Sequence, residues 1–294
     1  MKIILALSKR NLRLFVRDKA LVFFSFLSVI IILGLYVLFL GEIQVNNIKQ
    51  SIGMDLPEID ALVYAWMLPG LIAVASMTLS LGNMGRLVDD AQAENLNDFL
   101  VSPLKRWQLI LSYLLSSVTI TSVISVLMFV LSIVIVKLKG GPWLNVEQIL
   151  QSLGVMILLI VSSALLSLYI ASWVKTQNTY GVVNSMVGTF IGFVTGAYMP
   201  MGIMPVFVQN MFNILPVSLG ASMLRQIYLG PIMDKVFAQA PIEMVNEYRY
   251  FQGIDLKVFG NILEPNFMLI VIFVSIGVLF ILNLLRFTTL SKRS

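Results

Sequence analysis

Apolar and polar positions along this chain fall into long blocks. Stretches of about 20 apolar residues, enough to cross ~30 Å of hydrocarbon, lie at Ala20–Leu40, Ala61–Leu81, Leu109–Val136, Gln148–Trp173, Gly181–Met199 and Phe267–Leu285. These blocks predict an all-α polytopic membrane protein with six transmembrane helices. The segment from Met201 to Leu229 is also apolar, but Pro205 and Pro216 divide it. Its uninterrupted part after Pro216 is about 14 residues, or ~21 Å at 1.5 Å each, too short to span. It predicts a pair of re-entrant helices between the fifth and sixth spans, whose backbone must be covered by other helices.

The longest polar interruption runs from Arg86 to Ser116. Within it Leu96, Phe99 and Leu100 recur at helical spacing among Glu94, Asn95, Asn97 and Asp98, the pattern of a short amphipathic helix outside the bilayer. Ser102 offers an N-cap with Pro103 at the first helical position. Lys105, Arg106 and Trp107 then sit where the next helix meets the membrane interface. A short helix held between two spans is a surface on which a soluble partner can push.

At about 100° per residue, Lys2, Lys9, Arg10, Arg13 and Arg17 fall in one arc, opposite Ile3, Ile4, Leu7, Leu14 and Phe15. This is an interfacial helix on an anionic leaflet. A signal peptide is the competing reading, but the apolar run after it is too long and no small-residue cleavage site follows. Most of the 20 basic residues fall in segments that are cytoplasmic if both termini are. The others, Lys49, Lys137, Lys139, Arg225, Lys235, Arg249 and Lys257, spread over longer outside loops, so both termini are expected inside.

Composition narrows the chemistry. Of 294 residues, 58% are hydrophobic and 12% charged, with no cysteine and no histidine. Thiol chemistry, disulfides and histidine-based hydrolysis or metal catalysis are therefore excluded. The pI of about 9.4 reflects topology rather than nucleic-acid binding. No Asp, Glu, Lys or Arg falls in the middle of a predicted span, which argues against a proton relay but not against sodium coupling through carbonyl and hydroxyl oxygens. There is no GxxxxGK[ST] phosphate loop, so energy for transport must come from another chain.

Two polar patterns within the spans stay open. The hydroxyls of the third span (Ser112, Tyr113, Ser116, Ser117, Thr119, Thr121, Ser122, Ser125) and the fourth (Ser162, Ser163, Ser167, Tyr169, Ser172) suit either helix packing or a substrate lining. Gly188, Gly192 and Gly196 recur every fourth residue, permitting close helix approach within one protomer or across a symmetric contact.

The run MLPGLIAVASMTLSLGNMGRLVDDAQAENLNDFLVSPLKRWQLILSYLLSS resembles the corresponding region of ABC-2 type permeases, the membrane subunits of ATP-binding-cassette exporters. GAYMPMGIMPVFVQNMFNILPVSLGASMLRQIYLG resembles the same family's Pro-rich segment after the fifth helix. The resemblance implies one transmembrane domain over residues 1–294, with a connecting helix over 1–18 and a coupling helix over 92–100. Leu96, Phe99 and Leu100 are then apolar contacts, and Glu94 and Asp98 polar ones, to a nucleotide-binding subunit. The first and fifth spans face the two-fold axis of a permease dimer, homodimeric or paired with a similar permease, which gives Gly188, Gly192 and Gly196 an interprotomer or path-lining role. Residues 200–264 form the re-entrant and extracellular segment, with Pro200, Pro205, Pro216 and Arg225 in the extracellular gate.

On this reading the chain holds no cofactor, since ATP and Mg belong to the partner subunit. Its other partner is membrane lipid, not nucleic acid, and its place is a bacterial plasma membrane. The cargo is hydrophobic or amphipathic: a drug, lipid, peptide or lipid-linked glycan. Arg225 is expected to pair with a nearby acid or to snorkel to the surface. Residues 231–264 carry charges of both signs and the aromatics Tyr248, Tyr250 and Phe251, and are read as an outside insertion that caps the gate or has a function of its own. The alternatives are an ATPase-independent channel, an ion-coupled transporter, or an intramembrane lipid-modifying enzyme using Asp89, Asp90, Glu94 and Asp98. No charged ring of a filter is evident for the first of these.

Overall fold

The computed structural model describes residues 2–52, 58–93 and 105–290. The expected coupling residues Glu94, Leu96, Asp98, Phe99 and Leu100 lie outside the described residues, as do Ser102 and Pro103. Helix α1 (Lys2–Arg17) is followed by Asp18, whose carboxylate caps α2 (Lys19–Leu35) by accepting from the Leu21 N–H at 3.0 Å. One π-helical turn (Tyr36–Leu40) joins α2 to α3 (Gly41–Ile52). Here the Tyr64 hydroxyl donates to the Val37 carbonyl at 2.8 Å. A Cβ on Gly41 would lie 2.4 Å from that hydroxyl, so a larger residue would displace the Tyr64 ring.

Helix α4 (Glu58–Gln92) is the axis of the molecule. Its 35 residues make it about 52 Å long at 1.5 Å each, so it projects well past the hydrocarbon. Nearly every residue from Ile59 to Met77 is buried, as in a helix that is surrounded on all sides. It continues beyond the expected end at Leu81 because Arg86 and Asp90 find partners on neighbouring helices. Helix α5 (Arg106–Leu138) follows Lys105, which is extended (φ −73°, ψ 134°) and whose N–H donates to the Gln108 carboxamide at 3.0 Å. Helix α6 (Val146–Ala171) opens with a reciprocal cap between Asn145 and Gln148.

Helix α7 (Gln177–Val194) corresponds to the expected fifth span but stops at Val194 rather than Met199. Thr195 and the left-handed Gly196 (φ +63°) turn the chain away. Gly196 is therefore not on the helix, and the three glycines do not form one continuous helical face. A Cβ on Gly192 would fall 2.2 Å from the ring of Tyr198, so this glycine accommodates the chain's own return. Gly188 is half-buried, and a Cβ there would meet the Thr78 methyl at an ordinary 3.8 Å.

Helices α8 (Val206–Phe212) and α9 (Pro216–Val236) meet at 92°. Helix α9 has 21 residues and runs through Pro231, longer than the expected 14 or so. The proline withdraws the donor that the Ile227 carbonyl needs, and the Gln148 side chain donates to that carbonyl at 3.5 Å. Leu215 and Pro216 lie beside Ser162 and Leu166 of α6 and beside Val274 and Val278 of α11 (Pro265–Leu290), partway along both helices. Gly230, near the other end of α9, lies by Gln148 and Pro265, where those helices begin. Between α9 and α11 lie α10 (Ile242–Phe251) and a two-residue antiparallel hairpin, β1 (Lys257–Val258) and β2 (Asn261–Ile262), turned by Phe259 and Gly260 at positive φ.

Among the described residues, five helices are long and apolar enough to cross a membrane: Lys19–Gln50, α4, α5, α6 and Pro265–Phe287. The bent α8–α9 pair makes six if it counts as one span. Helix α7, with 18 residues and a polar Gln-Asn-Thr start, is shorter and less apolar than these. The chain is thus an all-α polytopic membrane protein. Leu7 of α1 and Phe287 of α11 belong to one apolar cluster with Met84, Ile110 and Leu168, so the first helix and the end of the last gather at one end of the bundle.

The span hydroxyls mostly bond inside the protein. Ser112, Ser116, Ser132, Ser162 and Ser172 donate to carbonyls three residues back, and Thr121 lies within 3.4 Å of Ser80 on α4. Ser117, Ser125 and Ser163 are buried with no hydrogen-bond partner for their hydroxyls among the described residues.

Candidate functional site

Two polar constructions stand at opposite ends of α4. At the end that carries α1, Asp90 is 7% exposed, and a carboxylate so buried needs partners. Arg10 of α1 supplies them with a two-pronged bond at 3.0 and 3.1 Å, while Tyr113 of α5 donates its hydroxyl to the same carboxylate. That bond holds the Arg10 guanidinium above its usual pKa. Beside it, Ser8 donates to the Ser112 carbonyl at 3.1 Å and Arg86 to the Leu14 carbonyl at 3.3 Å, with Asp18 at 3.8 Å from Arg86.

Helix α1 is therefore bolted to the bases of α4 and α5, the two helices between which residues 94–104 run. Its packed face is Ser8, Asn11 and Phe15, so it rests on protein as well as on the expected lipid surface. The other helices of this end are tied in too. The Gln92 carboxamide accepts from the Gln177 N–H at 2.8 Å, and the Tyr180 hydroxyl donates to the Leu81 carbonyl at 2.6 Å. Arg286 donates to the Ser172 carbonyl at 3.3 Å and stacks 3.8 Å from the Trp173 ring.

At the opposite end Arg225 of α9 is 1% exposed. It neither pairs with an acid nor reaches the surface, which corrects the expectation from sequence. Its guanidinium donates to three carbonyls on three segments: Trp66 of α4 at 3.1 Å, Gly196 after α7 at 2.9 Å, and Gly253 after α10 at 3.3 Å. It also lies 5.4 Å from the centre of the Trp66 ring. Five N–H groups on a planar fork suit such a junction, because irregular backbone within a membrane must have its carbonyls satisfied by protein. The Trp66 indole donates to the Gln252 carbonyl at 2.6 Å, and Tyr36 donates to the Ala197 carbonyl at 3.2 Å. Gly196 and Gly253 both take positive φ, near +64°, and Met201 packs against both.

Of the expected gate residues, Pro200 is buried at this end, Pro205 precedes α8 and Pro216 opens α9. Only Arg225 touches all the segments. Sequence reading missed the Asp90–Arg10–Tyr113 cluster. One signal was present: on the ideal helix Arg10 is the basic residue nearest the apolar arc, beside Ile3. Among the described residues no group of three or more His, Cys, Asp or Glu side chains could hold a metal. Asp90, a candidate for catalysis on the enzyme reading, is committed to Arg10 and Tyr113. The arrangement is mechanical in kind: a clamp at one end, a clasp at the other, and one stiff helix between them.

A family model described as ABC-2 type transporter matches residues 3–229 of the chain. The match takes in α1 to α8 and most of α9, and leaves out α10, the hairpin and α11. No curated protein matches it.

Proposed function

The chain belongs to the ABC-2 type transporter family, and from that premise we propose that it is the permease subunit of an exporter driven by separate ATP-hydrolysing subunits. Permeases of this family are transmembrane components without catalytic activity of their own. The observation that supports the reading best is the clamp of α1 on Asp90 and Tyr113, which stand on the two helices that the polar segment joins. On this reading residues 92–100 are the coupling helix and α1 the connecting helix, both on the cytoplasmic side of a bacterial plasma membrane. ATP and Mg are held by the partner subunits.

Two such chains, or this chain and a similar permease, pair across α2 and the outward face of α7, where Val182, Met186 and Phe190 are exposed on one stripe. Gly188 stands on that helix, whereas Gly192 and Gly196 are occupied by their own chain. Helices α8 and α9 with Pro200, Pro205 and Pro216 form the re-entrant outer gate, which Arg225 ties to α4. The cargo is hydrophobic or amphipathic, because the buried Arg225 is spent on carbonyls and presents no charge to a path.

The test is reconstitution with the ATPase. Phe99→Ala and Asp98→Lys each lower substrate-stimulated ATP hydrolysis at least about tenfold, the equivalent of ~1.4 kcal/mol, with membrane insertion unchanged. Unaltered hydrolysis in both variants removes the coupling assignment.

A further inference from the structure

On the end of the bundle away from α1, a cavity of about 500 Å³ opens between α3, the turn at Pro200–Ile203 and α10. It is the right size for a small organic ligand. Its walls are aromatic: Phe237 and Tyr248, with ring centres 5.0 Å apart, and Phe251 at the edge. Its rim carries the side chains of Gln44, Asn47 and Glu247. Glu247 is the one charged side chain among the lining residues. Three basic residues of this region are engaged elsewhere: Arg249 with Asp255 at 2.7 Å, Lys257 at 3.5 Å from the centre of the Tyr250 ring, and Lys49 with Asp60 at 3.3 Å.

Aromatic faces and a carboxylate, with no cation lining the cavity, complement a positive charge on an apolar body. Gln252 on the wall is 6% exposed, and its side-chain oxygen has no hydrogen-bond partner. Its backbone carbonyl receives the Trp66 indole, and the next residue, Gly253, receives Arg225. One wall of the cavity is thus part of the clasp. Most of the lining residues lie beyond the stretch that the family model matches.

The geometry points to a binding site for an amphipathic organic cation: an ammonium group against Glu247 and the rings, with its alkyl or aryl body along Ile48 and Ile203. Its place beside the clasp makes it a site at which cargo of that class is held on the outer face. That role rests on the permease reading; the binding itself does not.

Calorimetry tests it on the full chain in phosphatidylcholine nanodiscs, without any ATPase, with empty discs as the blank and hexyltrimethylammonium as the probe. The expected result is saturable binding at one site per chain, with hexanol and hexanesulfonate bound at least about tenfold more weakly. Glu247→Gln, at an exposed rim position, weakens the cation about fivefold while the thermal midpoint stays put, and Met244→Glu tightens it. Binding no greater than to empty discs, equal binding of hexanol, or an affinity unmoved by Glu247→Gln overturns the proposal. Each of those results leaves the coupling test of the permease reading intact.

Discussion

Arg10 and Arg225 do the same job, joining helices that are far apart in sequence, in opposite ways. Arg10 is answered by a carboxylate, and its side chain keeps 34% of its exposure. Arg225 is shut away and answered by three neutral carbonyls and an indole face. Loosening the first pair leaves Arg10 near water but strands the charge of the buried Asp90, which keeps the Tyr113 hydroxyl. A buried cation held by dipoles can be loosened only by stranding the cation and its acceptors at once. The joint with one partner near water is thus at the α1 end of α4, and the fully buried one among the irregular turns at Gly196 and Gly253.

The largest expected effect breaks the fully buried joint. Arg225→Leu takes this donor from the Gly196 and Gly253 carbonyls at about 1–3 kcal/mol each, so thermal unfolding in detergent should show a lowered midpoint and poor yield. Arg225→Lys restores part of this, since an ammonium lacks the planar fork. Next comes Asp90→Asn, which removes the charge that answers Arg10. A loss of about 1–3 kcal/mol in unfolding, with ATP hydrolysis uncoupled from substrate, is expected. Tyr113→Phe removes only one of the hydrogen bonds to Asp90 and should cost about 1 kcal/mol in the same assay.

The smallest effect is one of pH. Because the Arg10 pKa is raised above its ordinary value by the bond to Asp90, its stabilisation is whole at every pH below that ordinary value and is lost only as alkali passes through the raised one. The stability difference between the native chain and Arg10→Gln should therefore be the same at about pH 7 and pH 9, well under the usual arginine range. A difference that shrinks across that window would show that Arg10 is not the group that holds Asp90.

The same contrast explains what was legible in the sequence. Apolar runs located α2, α4, α5, α6 and α11, because burial in lipid leaves a signal in every residue of the run. The length of α4 was not legible. Its last turns are polar, and their helicity depends on Arg10 and Tyr113, which are distant along the chain. Local rules also misjudged α9. Pro231 reads as a stop unless the Gln148 side chain is known to replace the missing donor. The glycine repeat was visible as a repeat, yet Gly196 owes its place to a left-handed turn rather than to a helix face. Arg225 was conspicuous as a charge in an apolar stretch, but its carbonyl partners are backbone atoms, and no sequence pattern names them.

The central claim is that the segment between α4 and α5 is cytoplasmic and is the part gripped by a separate ATPase. Because the chain has no cysteine, a single Asn97→Cys can be labelled uniquely with a membrane-impermeant maleimide, in intact cells and in inverted vesicles. The account predicts labelling only in inverted vesicles, and protection when the partner ATPase is bound. Labelling from outside intact cells, or labelling in inverted vesicles that is indifferent to the ATPase, contradicts it.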